Sequence, residues 1–343
     1  MMIGGREVGP SHKPFVVAEV AQTHDGSLGN ALAFIDIAKE CGADAIKFQT
    51  HIAAEESTPS EPWRVRFSRQ DETRYDYWQR MGFTKEQWRA LKEHADKAGL
   101  IFLSSPFSIM ACEWLEEIGV PAWKVASGEV HNLPLIEWIA GTGKPIILSS
   151  GLSTVDETTS LARSLIEQGH DVAVLHCTTR YPTPAEEVGL NLLAPLAATG
   201  AVIGLSDHSG TIFPSVVAAY LGASLIEVHL TMHRKMFGPD VSSSLTPEEL
   251  RSLVSGVEFA WRMRSHNVVK EEQLGTLLKE RSIFGRSLVA RRSIRAGEAI
   301  AESDLAYKKP GGGLRYEQRD ALVGKRARAQ IAKDQILGMD DVE

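Results

Sequence analysis

Short apolar, β-branched runs recur along the chain, with stretches of helical periodicity between them. Eight such runs precede the middle of the 270s, at 15–20, 44–49, 100–104, 122–126, 145–149, 172–177, 201–205 and 224–229. Between them, segments such as 30–41, 85–98 and 247–263 place apolar residues at helical spacing. Gly42, Gly99, Gly119, Gly169 and Gly222 stand where helices should end in a left-handed residue. Eight strands alternating with helices over about 260 residues predict an α/β fold, a closed (β/α)8 TIM barrel. Such a barrel carries its reactive groups at the C-terminal ends of its strands, so the polar residues there are the ones to weigh.

The pattern changes after about Lys270. A polar helical stretch, short strand-like pieces such as 287–290, and the run from Lys308 to Arg315 read as a linker and a compact β-rich module. The expected division is a barrel over 1–270, a linker over 271–285 and the small module over 286–343.

Length agrees with this division, since 343 residues exceed one ordinary core. A hydrophobic content of 43% with 24% charged residues excludes wholesale disorder. The formal charge of −7 argues against broad nucleic-acid binding, so a site for an anion must create its own positive field. Three cysteines, Cys41, Cys112 and Cys177, have no metal-type spacing and fit a reducing compartment. No stretch approaches the roughly 20 apolar residues that cross a bilayer, and no apolar signal segment stands at the start; the expectation is a cytoplasmic protein without membrane contact.

The strand ends concentrate the chemistry. Glu19 closes the first strand, where a carboxylate among apolar residues is either a structural ion pair or functional. Lys47 and Gln49 share one face of the second strand, and Lys124 with Ser127 ends the fourth. Two lysines inside one barrel repel unless an anion lies between them, and phosphate or carboxylate is the obvious choice. Ser104 and Ser105 after strand three, and Ser149, Ser150 and Gly151 after strand five, are helix caps taken singly and phosphate holders taken with the lysines. His208 after strand seven and His229 on strand eight fall at matching heights on neighbours about 5 Å apart, which suits shared ligation of a metal. Two imidazoles leave positions open for substrate on a divalent ion acting as a Lewis acid. After strand six Tyr181 could hydrogen-bond a sugar, while Cys177 reads as core packing. Asp240 sits in a turn after strand eight, either solvated or facing a sugar hydroxyl.

These pieces together resemble the N-acetylneuraminate (sialic acid) synthase family over essentially the whole chain. The resemblance rests on 18–20 with 23–26, 47–50, 104–108, 124–129, 176–178, 181–184 and 204–208. The tail resembles that family's small antifreeze-like, or SAF, domain of β-clip type. The resemblance implies a domain-swapped homodimer in which the tail caps a partner's barrel. It further implies that His208 and His229 hold Mn2+ or Mg2+. Lys47, Ser105, Lys124, Ser127 and Ser149 match positions that hold phosphoenolpyruvate. Gln49, Ser206 and Glu227 match supporting positions. Glu19, Tyr181 and Asp240 match positions near the sugar, with Glu19 also the candidate for managing a water. Lys309 stands where the family has an arginine that contacts the acylamino group, a point charge in place of a planar fork. Thr179 stands where an asparagine is usual.

The expected activity is a phosphoenolpyruvate-dependent, carbon–carbon bond-forming transferase that acts on an open-chain amino sugar such as N-acetylmannosamine. A synthase for legionaminic or pseudaminic acid is the near alternative. Further off are barrels that condense phosphoenolpyruvate with phosphorylated aldoses, a Schiff-base aldolase using Lys47 or Lys124, and a carbohydrate- or ice-binding protein with a degenerate barrel.

Overall fold

Eight parallel strands make up the large sheet of the computed structural model, which describes residues 1–343. They are β1 (Phe15–Glu19), β2 (Ala45–Thr50), β3 (Ile101–Pro106), β4 (Trp123–Val125), β5 (Ile146–Ser149), β6 (Val172–Cys177), β7 (Val202–Asp207) and β8 (Leu225–His229). The ladder runs β3-β2-β1-β8-β7-β6-β5-β4. Strand β8 pairs directly with β1, so first and last strands meet as a barrel requires. Strands β3 and β4 lie side by side without a ladder and complete the ring. The expected TIM barrel is present.

The two faces of each strand explain the closure. Alternate residues such as Val16, Ala18, Ile46, Phe48, Phe102, Val125 and Val174 point outward into one apolar layer under the helices. The inward set starts apolar, with Phe15, Val17, Ala45, Leu103, Ile147, Ala173 and Leu225 forming a second buried cluster. An N-terminal hairpin, Met2–Ile3 with Arg6–Glu7, adds Ile3 and Val8 to that cluster. Gly204 belongs to this inner layer for a steric reason: a Cβ there would lie 2.4 Å from the Leu225 carbonyl oxygen and 2.4 Å from a Leu175 methyl. Toward the C-terminal ends the inward positions turn polar, at Glu19, Lys47, Ser105, Lys124, Ser149, Ser206 and Glu227, all buried. The buried apolar layers thus form a floor beneath a polar upper rim.

The surrounding helices begin and end on local signals. Lys85–Ala98, Val155–Glu167 and Pro247–Ser265 each start with a threonine capping box, at Thr84, Thr154 and Thr246. Gly99 and Gly222 end their helices at φ 70° and 109°, in the left-handed region expected of them. No helix is long and apolar enough to cross a membrane.

The chain divides into two units, Met1–His266 and Asn267–Glu343. The second opens with two short helices, Lys270–Thr276 and Leu278–Phe284. Strands β9 (Ser287–Ala290) and β10 (Leu305–Lys308) then pair antiparallel. Isolated bridges such as Ile294 with Ile331 and Ala327 with Val342 tie the remaining loops together. Leu288, Ile294, Ile300, Leu322, Ile331 and Leu337 form its own small core.

Candidate active site

Register places the polar side chains beside one another. Glu19 pairs with His229 on one side and with Lys47 on the other, so three functional residues stand at one height on β8, β1 and β2. Val228 pairs with Asp207, and the next residues on the two strands are His229 and His208. Gln49 lies opposite Ser105.

The lysines do not face an empty cavity. Glu227 lies between them, with one oxygen 3.8 Å from Lys47 Nζ and the other 3.5 Å from Lys124 Nζ. Lys47 also forms an ion pair with Glu19. The anion inferred from the two lysines is therefore supplied, in the first instance, by the protein's own carboxylates. Lys124 Nζ donates to Ser149 Oγ at 2.7 Å, and Lys47 Nζ to Ser105 Oγ at 3.5 Å. Ser206 Oγ donates to Glu227 at 3.0 Å.

Burial and charge set the protonation states in opposite directions. Burial pushes Glu19 up to about 7, only partly offset by Lys47. Burial acts on Glu227 as well, but Lys124 and Lys47 outweigh it and pull its carboxyl down to about 2. Burial holds Lys124 below the usual lysine range, against the pull of Glu227. Lys47, equally buried, is held above that range by Glu19 and Glu227. With Glu227 ionised and Glu19 half-neutral near pH 7, the cluster carries a net positive field at a buried rim.

The imidazoles of His208 and His229 stand 5.3 Å apart, centre to centre. Burial lowers His208 to about 4 and His229 well below the ordinary histidine value, so both are neutral donors of a lone pair. His208 Nδ1 is fixed on the Thr178 carbonyl at 2.8 Å, which leaves the lone pair on Nε2, where the Ser206 hydroxyl approaches at 3.4 Å. His229 Nδ1 is buried without any partner. These two nitrogens could hold a divalent cation with the remaining positions left to ligands from solution; no group of three or more His, Cys, Asp or Glu side chains gathers for one, here or elsewhere. Tyr181 stacks on His208 at 4.2 Å, with its hydroxyl 3.2 Å from Nε2.

A cleft of about 540 Å3 opens above this rim, lined by Gln22, Gln49, Tyr181, Thr179, Asp240 and the loop residues Trp63, Arg64, Val65 and Phe67, among others. Asp240 is not a solvated turn residue: its side chain is 13% exposed, and burial raises it to about 6 against the pull of Arg64. Thr179 Oγ1 is buried and unpaired. Ser127 Oγ lies 3.2 Å from Cys177 Sγ. Cys177 is buried, but it stands outside the apolar clusters, on the inward face beside Lys124, so plain core packing does not describe it. Lys309 belongs to the second unit, where its ammonium lies over Phe284 at 5.5 Å.

Arg64, Trp63 and Trp78 line the cleft without having been legible from the sequence. Trp63 and Arg64 come from an irregular stretch between β2 and the helix Lys85–Ala98, and Trp78 from the short helix Arg74–Met81 in the same connection. Arg64 lies over the Tyr181 ring at 4.8 Å and 3.9 Å from Asp240. The aromatic density of this segment was the available signal.

The model of the NeuB family matches residues 34–268, and that of the SAF domain residues 285–343. The chain is 32% identical to the N,N'-diacetyllegionaminic acid synthase of Campylobacter jejuni, over 95% of this chain and 99% of that one. It is also 32% identical to the N-acetylneuraminate-9-phosphate synthase of Homo sapiens, over 97% and 94%. The crystal structure of an N-acetylneuraminic acid (sialic acid) synthetase from Leptospira borgpetersenii superposes with a TM-score of 0.71 at 28% identity, covering 82% of this chain and 97% of that one. The chain therefore belongs to the NeuB family, the N-acetylneuraminate synthases, and carries that family's SAF domain at its C-terminal side.

Proposed function

We propose that this protein is a nonulosonic acid synthase that condenses phosphoenolpyruvate with an open-chain 2-acylamino sugar aldehyde, giving a nine-carbon 2-keto acid and inorganic phosphate. The observation that carries this reading is the convergence of Lys47, Lys124 and Glu227 with His208 and His229 at one buried rim. Relatives of this chain are synthases of N,N'-diacetyllegionaminic acid and N-acetylneuraminate 9-phosphate, which supports the product class.

In this reading Lys47, Lys124, Ser105, Ser127 and Ser149 hold the phosphate and carboxylate of phosphoenolpyruvate. Preorganised charges of this kind in a dry site are worth several kcal/mol, about 3 for a single donor. The two neutral imidazoles, one with a nitrogen lacking any partner, fit a divalent ion such as Mn2+ or Mg2+. When bound there, the ion supplies Lewis-acid polarisation of the aldehyde. The methylene carbon of phosphoenolpyruvate bonds to the aldehyde carbon, whose oxygen takes a proton from solvent in the cleft. Water adds to the neighbouring cationic carbon, and Glu19, with Oε1 unpaired, is placed to take its proton. Carbon–oxygen cleavage then expels phosphate, which carries off the proton of the new hydroxyl as the keto group forms. Gln49, Ser206, Thr179, Tyr181 and Asp240 orient the sugar, and Lys309 is assigned to its acylamino group. A swapped homodimer belongs to the same reading; light scattering that returns a monomer mass would remove it.

The test is phosphate release with phosphoenolpyruvate, manganese and a panel of 2-acetamido and 2,4-diacetamido hexoses, with and without their 6-phosphates. Release that requires one of the acylamino sugars and stops with a chelator is the expected result. Release from phosphorylated aldoses lacking an acylamino group would favour the other phosphoenolpyruvate-condensing barrels instead.

A further inference from the structure

His51 occupies an unusual setting just beyond β2. Its ring lies between two aromatic faces, 4.1 Å from Trp78 and 4.3 Å from Phe107, nearly parallel to both at 18° and 14°. Its Nδ1 meets Glu56 Oε1 at 2.6 Å, and its Nε2 meets Gln49 Oε1 at 3.3 Å. That Gln49 oxygen also accepts from Gln22 Nε2 at 2.9 Å. Both ring nitrogens therefore face acceptors, an arrangement that an imidazole satisfies only with a hydrogen on each. Gln49 lines the sugar cleft, and with its oxygen turned toward Gln22 and His51 its NH2 is the polar end left for a ligand.

We propose that His51 is a positioning residue: a doubly protonated ring, balanced by Glu56 and clamped by Trp78 and Phe107, that locks the Gln49 amide with its NH2 offered to an oxygen of the acceptor sugar. The assignment of the cleft to a sugar rests on the function proposed above; the state of the ring does not. With a hydrogen on one nitrogen only, Nε2 would be an acceptor and Gln49 would have to reverse. Gln22 would then reverse with it, putting its NH2 in the buried place where Oε1 now stands unpaired. The cleft would present a carbonyl oxygen where it now presents a donor. The charge on His51 thus selects which sugar substituent is matched at that wall, a form of discrimination that leaves a mismatched polar pair on the wrong ligand.

The charged and titratable groups around the ring are Glu56 on its own segment, Glu129 from the turn after β4, and His24 from the loop after β1. Arg74 lies over Trp78 at 5.1 Å, and Lys85 and Glu86 line the groove that His51 borders on its outer side. Glu56 is the one that touches it.

Two measurements test the proposal on the full chain. Nitrogen-15 shifts of the His51 ring near neutral pH should show both nitrogens protonated in the native protein, and one bare nitrogen in Glu56→Gln, which keeps an acceptor but not the charge. This reading needs no turnover; a neutral His51 ring in the native protein overturns the proposal whatever the activity proves to be. In steady-state kinetics, Glu56→Gln and His51→Phe should raise the sugar KM by about tenfold, the scale of one lost hydrogen bond, with kcat and the phosphoenolpyruvate KM nearly unchanged. Glu56→Asp should restore the native sugar KM. Folded variants, shown by native circular dichroism, whose sugar KM stays unaltered would equally overturn it.

Discussion

Glu227 Oε1 lies 3.5 Å from Lys124 Nζ, and this contact holds together a site whose charges would otherwise oppose one another. The second oxygen of Glu227 faces Lys47 at 3.8 Å, so a single carboxylate separates two buried ammonium groups. Removing one member of a buried charge set typically costs about 3–5 kcal/mol, because its partners stay buried and unpaired. Glu227→Gln should therefore lower unfolding stability by about 3 kcal/mol. Inorganic phosphate should restore more stability to the variant than to the native protein, since an anion can take the vacated place. Chemical denaturation with and without phosphate checks both; a neutral substitution with no extra response to phosphate would contradict this account.

His24 gives stability a defined dependence on pH. Its Nδ1 accepts from the Gly26 N–H at 3.1 Å, its Nε2 is buried without a partner, and burial holds it at about 3. The unfolded chain takes up a proton near its ordinary value of 6.5, whereas the folded one does not. The contribution of His24 is thus complete above 6.5 and declines as pH falls toward about 3. Its slope is about 1.4 kcal/mol per pH unit at most. His24→Gln should flatten the decline between those limits; an unchanged slope would show that the ring protonates freely in the folded state.

Gly204→Ala should destabilise the barrel by about 2 kcal/mol, since the added methyl meets a backbone oxygen and a packed leucine in the inner layer. A thermal midpoint equal to that of the native protein would mean that β7 can shift locally to admit it.

Arg64→Ala removes the cation above Tyr181 and the counter-charge of Asp240. The sugar KM should rise by about two- to fivefold, the range of a cation–π contact on a half-exposed guanidinium, while the phosphoenolpyruvate KM stays near its native value. Equal changes in both would place Arg64 in a different role.

The barrel was readable because each strand alternates outward apolar residues with an inward set that turns polar at one end. The histidine pair was readable for the same reason, since register alone brings 208 beside 229. The role of Glu227 as the anion between the lysines was not, because which charges pair depends on how long side chains meet across the lumen. Arg64, Trp78 and the clamp on His51 were hidden for a related cause. They depend on the connection between β2 and Lys85, part loop and part short helix, folding back over the rim, and neither helical nor strand periodicity reports on such a return. Asp240 was open to both readings on paper, and only its burial separates them.

In the proposed reaction phosphoenolpyruvate reacts through its methylene carbon and loses phosphate by breaking the carbon–oxygen bond. The most direct measurement uses phosphoenolpyruvate carrying oxygen-18 in the bridging position, with the acylamino sugar that supports turnover. The account predicts that the label leaves with inorganic phosphate, and label retained in the keto acid would contradict it.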